Sequence, residues 1–358
     1  MILERNAKNT RSPFKIFATL ALAATVLWSG ANVTNAQTPT TRLDDFVGDN
    51  RTDFTTLSFT VGGPITWKLT GNPASAAPNA AFKRTFNYGL TDTDSLTVGD
   101  YVGDSKSDPT VWRDTNGTFY VGNFPTGTGG ITLNRAVQFG NGATDVPGVQ
   151  GDYDGDGKTD YALVRVVSSN LVWYIMSSST NTMKAITHGT LTGVTGPSVF
   201  PGADFNGDGR DELIYLYRNS AGTQVTYQIG DANTGAGVMA RTYGNYNTDF
   251  SLAPDDYTGD GRADFVAVRQ TQGAQSIWYI MNSATNAVTA TAFGIADPTF
   301  TDLDLPVRGD FDGDGRHDIC VWRSSNQTFY YISSQFNNIQ AQKSGDAGDT
   351  PLGSFAAY

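Results

Sequence analysis

Six short segments recur along the chain: Asp45-Phe-Val-Gly-Asp49, Asp100-Tyr-Val-Gly-Asp104, Asp152-Tyr-Asp-Gly-Asp156, Asp204-Phe-Asn-Gly-Asp208, Asp256-Tyr-Thr-Gly-Asp260 and Asp310-Phe-Asp-Gly-Asp314. Their first aspartates lie 55, 52, 52, 52 and 54 residues apart. A fixed period of that length means copies of one supersecondary unit, each too small to bury its own apolar faces. The repeats run from Asp45 to the C-terminus without a linker, so residues 37–358 are expected to form one domain.

Each copy carries the same inner pattern. Between residues 145 and 190, the run Asp145 to Gly151 leads into the acidic segment. Strand-like stretches follow at 161–166, 171–176 and 184–188, separated by Ser/Asn turns. Short strands rich in aromatic and β-branched residues, with polar turns between them, predict an all-β chain. No stretch of the mature chain has a helical period. Four strands per unit of about 50 residues is the blade of a β-propeller. Six units predict six blades of four antiparallel strands, with seven blades as the alternative. A solenoid would use shorter repeats. The tail from Asp349 to Phe355 resembles the strand before each acidic loop, so it is expected to join the first blade and close the ring. The stretch Thr40 to Asp44 competes for that place.

The acidic segment carries the chemistry. Counting its first Asp as position 1, the fullest copy has carboxylates at positions 1, 3, 5 and 9: Asp152, Asp154, Asp156 and Asp160. Four acids in nine residues repel one another unless a cation neutralises them. An all-oxygen donor set suits Ca2+, and glycines at positions 4 and 6 permit the tight turn that aims the carboxylates inward. Asp310, Asp312, Asp314 and Asp318 form a second complete set. Asp204, Asn206, Asp208 and Glu212 keep an oxygen at every position; Asp256, Thr258, Asp260 and Asp264 have a weak neutral one at position 3. Val47 and Val102 occupy position 3 in the first two copies, which are expected to bind weakly or not at all. An EF-hand is excluded, because position 12 of the fullest copy is Leu163, inside a strand pattern, where that loop requires Glu.

The remaining side chains point to structure. Arg113, Arg165, Arg269 and Arg323 recur at position 14, while the fourth copy has Tyr217 there and Arg218 next. They are expected to pair with acids or stack on aromatics; a ring of anion or sugar contacts is the functional alternative. Trp67, Trp112, Trp173, Trp278 and Trp322 sit in strand patterns and are expected in the core between blades, not on sugar-stacking platforms. Cys320 is expected to be buried, His317 solvated beside Asp318, and His188 without an obvious partner. No nucleophile elbow, phosphate loop or zinc motif occurs, so no catalytic residue is assigned.

The N-terminus reads as a secretory signal over residues 1–36. Arg5, Lys8, Arg11 and Lys15 precede an apolar run from Ile16 to Trp28, and Ala36 marks a cleavage site. Without it the chain has 20 bases against 34 acids, a net charge of −14, which argues against nucleic acid as a partner. No later apolar run is long enough to span a membrane.

The pattern Asp-x-Asp-Gly-Asp-Gly-x-x-Asp, followed by a strand and repeated at about 50 residues, resembles the FG-GAP/VCBS repeats of integrin-α-like β-propellers. Val-Arg after the loop and Trp-Tyr-Ile in the next strand look like the bacterial secreted branch. The resemblance implies a propeller, calcium in the loops, and a non-catalytic role in adhesion or recognition of an extracellular protein or glycan. Two other readings remain: a glycan-binding lectin with one pocket per blade, and a polysaccharide-acting enzyme such as a lyase.

Overall fold

Why the chain closes on itself follows from where each strand can hide its side chains. The computed structural model describes residues 44–72, 83–125, 129–219, 221–295 and 304–354. The signal segment, residues 40–43, most of the Gly71–Ala81 stretch and Phe355 lie outside them. Every regular element among the described residues is a strand, and the strands form six antiparallel sheets of four. In chain order the second blade holds β4 (Asp94–Leu96), β5 (Thr110–Arg113), β6 (Thr118–Asn123) and β7 (Thr132–Gln138). The third holds β8 (Asp145–Val146), β9 (Tyr161–Val167), β10 (Asn170–Met176) and β11 (Met183–Thr190). The fourth holds β12 (Thr195–Ala203), β13 (Glu212–Arg218), β14 (Gln224–Gly230) and β15 (Gly237–Asn245). The fifth holds β16 (Asp249–Ser251), β17 (Phe265–Arg269), β18 (Gln275–Met281) and β19 (Val288–Ile295). The sixth holds β20 (Asp304–Val307), β21 (Ile319–Arg323), β22 (Thr328–Ile332) and β23 (Ile339–Lys343).

The first blade takes β1 (Phe54–Phe59), β2 (Pro64–Thr70) and β3 (Lys83–Leu90) from the start of the chain. Its inner strand, β24 (Thr350–Pro351), comes from the other end and pairs Thr350 with Leu57 and Pro351 with Thr56. The tail is therefore the closing strand, and the ring has six blades.

Burial follows position in the blade. The second strand is covered on both faces, as in β9, where Tyr161 to Val164 are all buried. The third alternates, and the outermost is largely exposed, as in β10 and β11. One cross-strand pair between second and third strands repeats around the ring with a large aromatic on either side: Leu57↔Trp67, Trp112↔Phe119, Val164↔Trp173, Leu216↔Tyr227, Val268↔Trp278 and Trp322↔Phe329. The five tryptophans in these pairs are fully buried, and each indole N–H donates to a backbone carbonyl at the end of, or just beyond, the outermost strand. A buried indole needs that partner.

Blades join through the loops as well as the core. The position 8 amide of each acidic loop donates to the position 1 carbonyl of the loop before it. The pairs are Ser107→Asp45, Thr159→Asp100, Asp211→Asp152, Ala263→Asp204, His317→Asp256 and, across the seam, Thr52→Asp310, at 2.6–2.8 Å. Six backbone bonds thus form a closed circuit. The aromatic at position 2 packs on position 10 of the next loop where both are rings: Tyr101–Tyr161, Phe205–Phe265 and Phe311–Phe54, with centroids 4.8–5.1 Å apart.

Candidate metal centre

All six acidic segments adopt one loop shape, and carboxylates at positions 1 and 9 hold it. Asp152 accepts the amides of Gly155, Asp156 and Gly157 at 2.8–3.1 Å. Asp160 accepts Tyr153 N–H with one oxygen and Ser178 N–H, from the turn between the third and fourth strands, with the other. Asp45 and Asp100 repeat the first pattern, although position 3 is Val in their loops. Position 3 is therefore not needed for the shape. Position 4 is Gly in all six, with φ between 77° and 80°. Position 6 also requires positive φ; Asn50 and Ser105 meet it at 67° and 64° where the other loops use Gly. Asn tolerates this region, whereas Ser is strained. Ser105→Gly should therefore raise stability by about 0.5–1 kcal/mol in urea unfolding, and Asn50→Gly should change it little.

Burial opposes the charges the loops concentrate. With an ordinary value of 3.8, Asp152 and Asp310 are pushed up to about 6, chiefly by desolvation. Desolvation takes Asp160 to about 7 and Asp318 to about 8, with repulsion from Asp154 and Asp312 adding to it. Asp256 rises to about 6, Asp264 to about 7 and Glu212 to about 7 for the same leading reason. Such groups take up a proton or a cation.

The structure gathers some predicted ligands and not others. Oxygens of Asp152, Asp154 and Asp156 lie within 4.8 Å of one another, as do those of Asp310, Asp312 and Asp318. These donor sets, all carboxylate, fit a hard divalent ion such as Ca2+. Asp314 stays out of the second group, because its Oδ2 accepts from the Arg316 guanidinium at 2.8 and 3.1 Å. In the fourth blade Asp204 and Asp208 keep their loop positions, while Asn206 donates its amide to Glu212, whose other oxygen accepts Phe205 N–H. In the fifth, Asn282 donates to both Thr258 Oγ1 and Asp260 Oδ2, and Asp256 and Asp264 accept loop amides. Among the described residues neither of these loops gathers three carboxylates.

A recurring feature escaped the sequence reading. Position 7 is basic in every copy: Arg51, Lys106, Lys158, Arg210, Arg262 and Arg316. Each side chain lies across the position 4 glycine of the preceding loop; a Cβ on Gly103 would stand 2.3 Å from Lys158, and one on Gly259 2.2 Å from Arg316. The signal lies in the sequence itself, as a Lys or Arg two residues after position 5 of every loop.

The arginines at the far end of the blades are structural. Arg113, Arg165, Arg269 and Arg323 bind Asp94, Asp145, Asp249 and Asp304 through two nitrogens, at 2.5–3.0 Å, and lie over Tyr120, Tyr174, Tyr279 and Tyr330. In the fourth blade Thr195 stands opposite Arg218, which stacks on Tyr246 instead. Cys320 is buried. The expectation for His317 was wrong: it is buried, edge-on to Tyr257, with Nε2 3.3 Å from Asp255 Oδ2. Its place at position 8 turns it into the seam between blades. His188 is also buried, with Nδ1 3.1 Å from the Gly235 carbonyl and its ring edge-on to Tyr215.

Residues 152–215 and 204–267 match the FG-GAP-like repeat. No curated protein matches the sequence. Similar solved structures include TolB from Acinetobacter baumannii, with TM-score 0.48, 14% identity and 85% of this chain covered. The match takes in 66% of the TolB chain, just under two thirds. The WD40 domain of Toxoplasma gondii coronin has TM-score 0.38 and 8% identity, over 82% of this chain and 68% of that one. A putative 6-phosphogluconolactonase from Bacteroides uniformis has TM-score 0.40 and 12% identity, over 80% and 83%.

Proposed function

We propose that this six-bladed β-propeller, which matches the FG-GAP-like repeat over residues 152–267, is a secreted, calcium-stabilised, non-catalytic module that binds an extracellular protein or glycan. The observation that carries the metal half is the convergence of Asp152, Asp154 and Asp156 within 4.8 Å. These three, and Asp310, Asp312 and Asp318 in the last blade, would hold Ca2+. The ion would supply positive charge to carboxylates that burial otherwise favours in their protonated form, and so stabilise the folded ring. The chain's own residues already fix the loop shape through positions 1 and 9, which makes the ion a reinforcement and not a nucleus.

The binding half rests on form. A rigid wheel presents many loops side by side on one broad face, and binding residues concentrate on loops held by a rigid scaffold. The recurring carboxylates belong to the loops and the recurring arginines to ion pairs, which leaves no constellation suited to acid–base or nucleophilic catalysis among the described residues. The test is a panel of immobilised extracellular proteins and glycans probed with the full chain in calcium and in chelator. Saturable binding without turnover of the bound partner is expected. Turnover of a polysaccharide, abolished by one substitution outside the acidic loops, would overturn the non-catalytic reading.

A further inference from the structure

The two loops that are complete in sequence are not equivalent in structure. In the last blade, Arg316 Nη2 donates to Asp314 Oδ2 at 2.8 Å and to the Ser334 carbonyl at 2.6 Å, with Nε adding a contact of 3.1 Å to the same oxygen. The other Asp314 oxygen accepts Arg316 N–H and Ser334 Oγ–H. Asp312, 4% exposed, is held too: its Oδ2 accepts Ser333 Oγ–H at 2.6 Å, Gln335 N–H at 3.0 Å and Ser334 Oγ–H at 3.4 Å. Positions 3 and 5 are thus occupied from within the chain, and position 5 lies outside the group formed by positions 1, 3 and 9, as position 9 does in the third-blade loop.

The third-blade loop has none of these restraints. Its position 7 residue is Lys158, which makes no ion pair with Asp156. Among the described residues Asp154 and Asp156 accept only the loop's own amides, from Asp156 and Lys158. Positions 1, 3 and 5 remain together. The chemical difference is that a guanidinium forks onto a carboxylate and a neighbouring carbonyl at once, whereas an ammonium on a flexible stem offers no such fork.

We infer that Arg316 is a built-in counter-ion that sets the cation affinity of its loop, so that Asp152–Asp160 fills first and Asp310–Asp318 fills only when the guanidinium leaves Asp314. This rests on the calcium reading above and adds an order to it. Position 7 is then the residue that grades affinity among loops of equal acid content.

Calcium titration calorimetry on the full chain tests it, beside three variants. The wild type should show a tight step and a weaker one. Asp154→Asn should remove the tight step or weaken it at least about tenfold, given the loss of one of three carboxylates. Arg316→Ala should tighten the weaker step about fivefold and leave the tight one within about twofold. Arg316→Lys should fall between wild type and Arg316→Ala. Circular dichroism of each variant confirms the fold. Loss of the tight step on Asp312→Asn, and not on Asp154→Asn, would overturn the order. An unchanged weaker step in folded Arg316→Ala would overturn the role of the arginine while leaving calcium binding intact. Absence of calcium binding in the wild type itself would remove the underlying reading, and the inference with it.

Discussion

A chain ending at Gly348 should melt about 10 °C or more below the full chain. The deleted segment supplies the whole inner strand of the first blade, so the loss is not that of a surface tail. Leu352 is 2% exposed, and removing it forfeits about 2 kcal/mol of apolar burial. Leu352 N–H donates to the Thr55 carbonyl, and the Gly353 carbonyl accepts from Arg308; each is worth about 1 kcal/mol. Asp349 holds Lys68 at 2.8 Å, with its own side chain 2% exposed and that of the lysine 20% exposed. Its loss leaves Lys68 only the exposed Asp346, also at 2.8 Å, and costs about 1 kcal/mol. Together these approach 5 kcal/mol, and a domain of this size shifts by about 2–4 °C for each. Asp349→Asn isolates the ion pair and should cost only the smaller part. Thermal unfolding followed by tryptophan fluorescence measures both; a deletion variant that melts with the full chain would mean that the first blade stands without its inner strand.

Calcium should raise the melting temperature by about 5–10 °C at neutral pH, and the gain should grow with pH. A ligand at about 100 times its dissociation constant adds about 2.7 kcal/mol per site. The pH dependence comes from the loop carboxylates. In the metal-free fold Asp152 and Asp310 stand near 6, Asp160 near 7 and Asp318 near 8, all above their ordinary 3.8. A carboxyl whose folded value is raised binds its proton more tightly folded than unfolded. Its contribution is complete below about pH 4 and is lost as pH climbs through 6 to 8. Metal-free protein should therefore lose stability over that interval. With calcium the ion replaces the protons, and the decline should flatten. Melting curves at pH 5, 6, 7 and 8, on protein stripped of metal and with calcium restored, decide the matter. Asp156→Ala should remove a large part of the gain, and Asp49→Ala little of it. A gain that shrinks as pH rises, or is absent at every pH, would contradict this account.

Much of the architecture was legible because the repeat is itself a statement of topology. Equal spacing gave the blade count, aromatic-rich stretches such as 171–176 gave the third strands, and the likeness of the tail to the stretch before each loop gave the closure. The acids were legible for the same reason: a charge cluster recurring at one register position stands out against a sequence that is only 16% charged. What stayed hidden depends on contacts remote in sequence, within a copy or between copies. Nothing local to Asp314 shows that a guanidinium two residues on will hold it, and His317 looks solvated beside a charged residue because its burial is made by Tyr257 of the preceding blade. The exchange of the large aromatic between second and third strands was equally invisible, since a single strand does not reveal its partner's volume.

The circuit of amide-to-carbonyl bonds linking position 8 of each loop to position 1 of the one before uses no side chain. Identity at position 8 ranges accordingly over Thr, Ser, Asp, Ala and His. Inheritance can therefore edit the charges of any one copy, as Val47 and Val102 illustrate, while the circuit of bonds stays intact. A scaffold so arranged separates the requirement to stay assembled from the freedom to acquire new chemistry, one sector at a time.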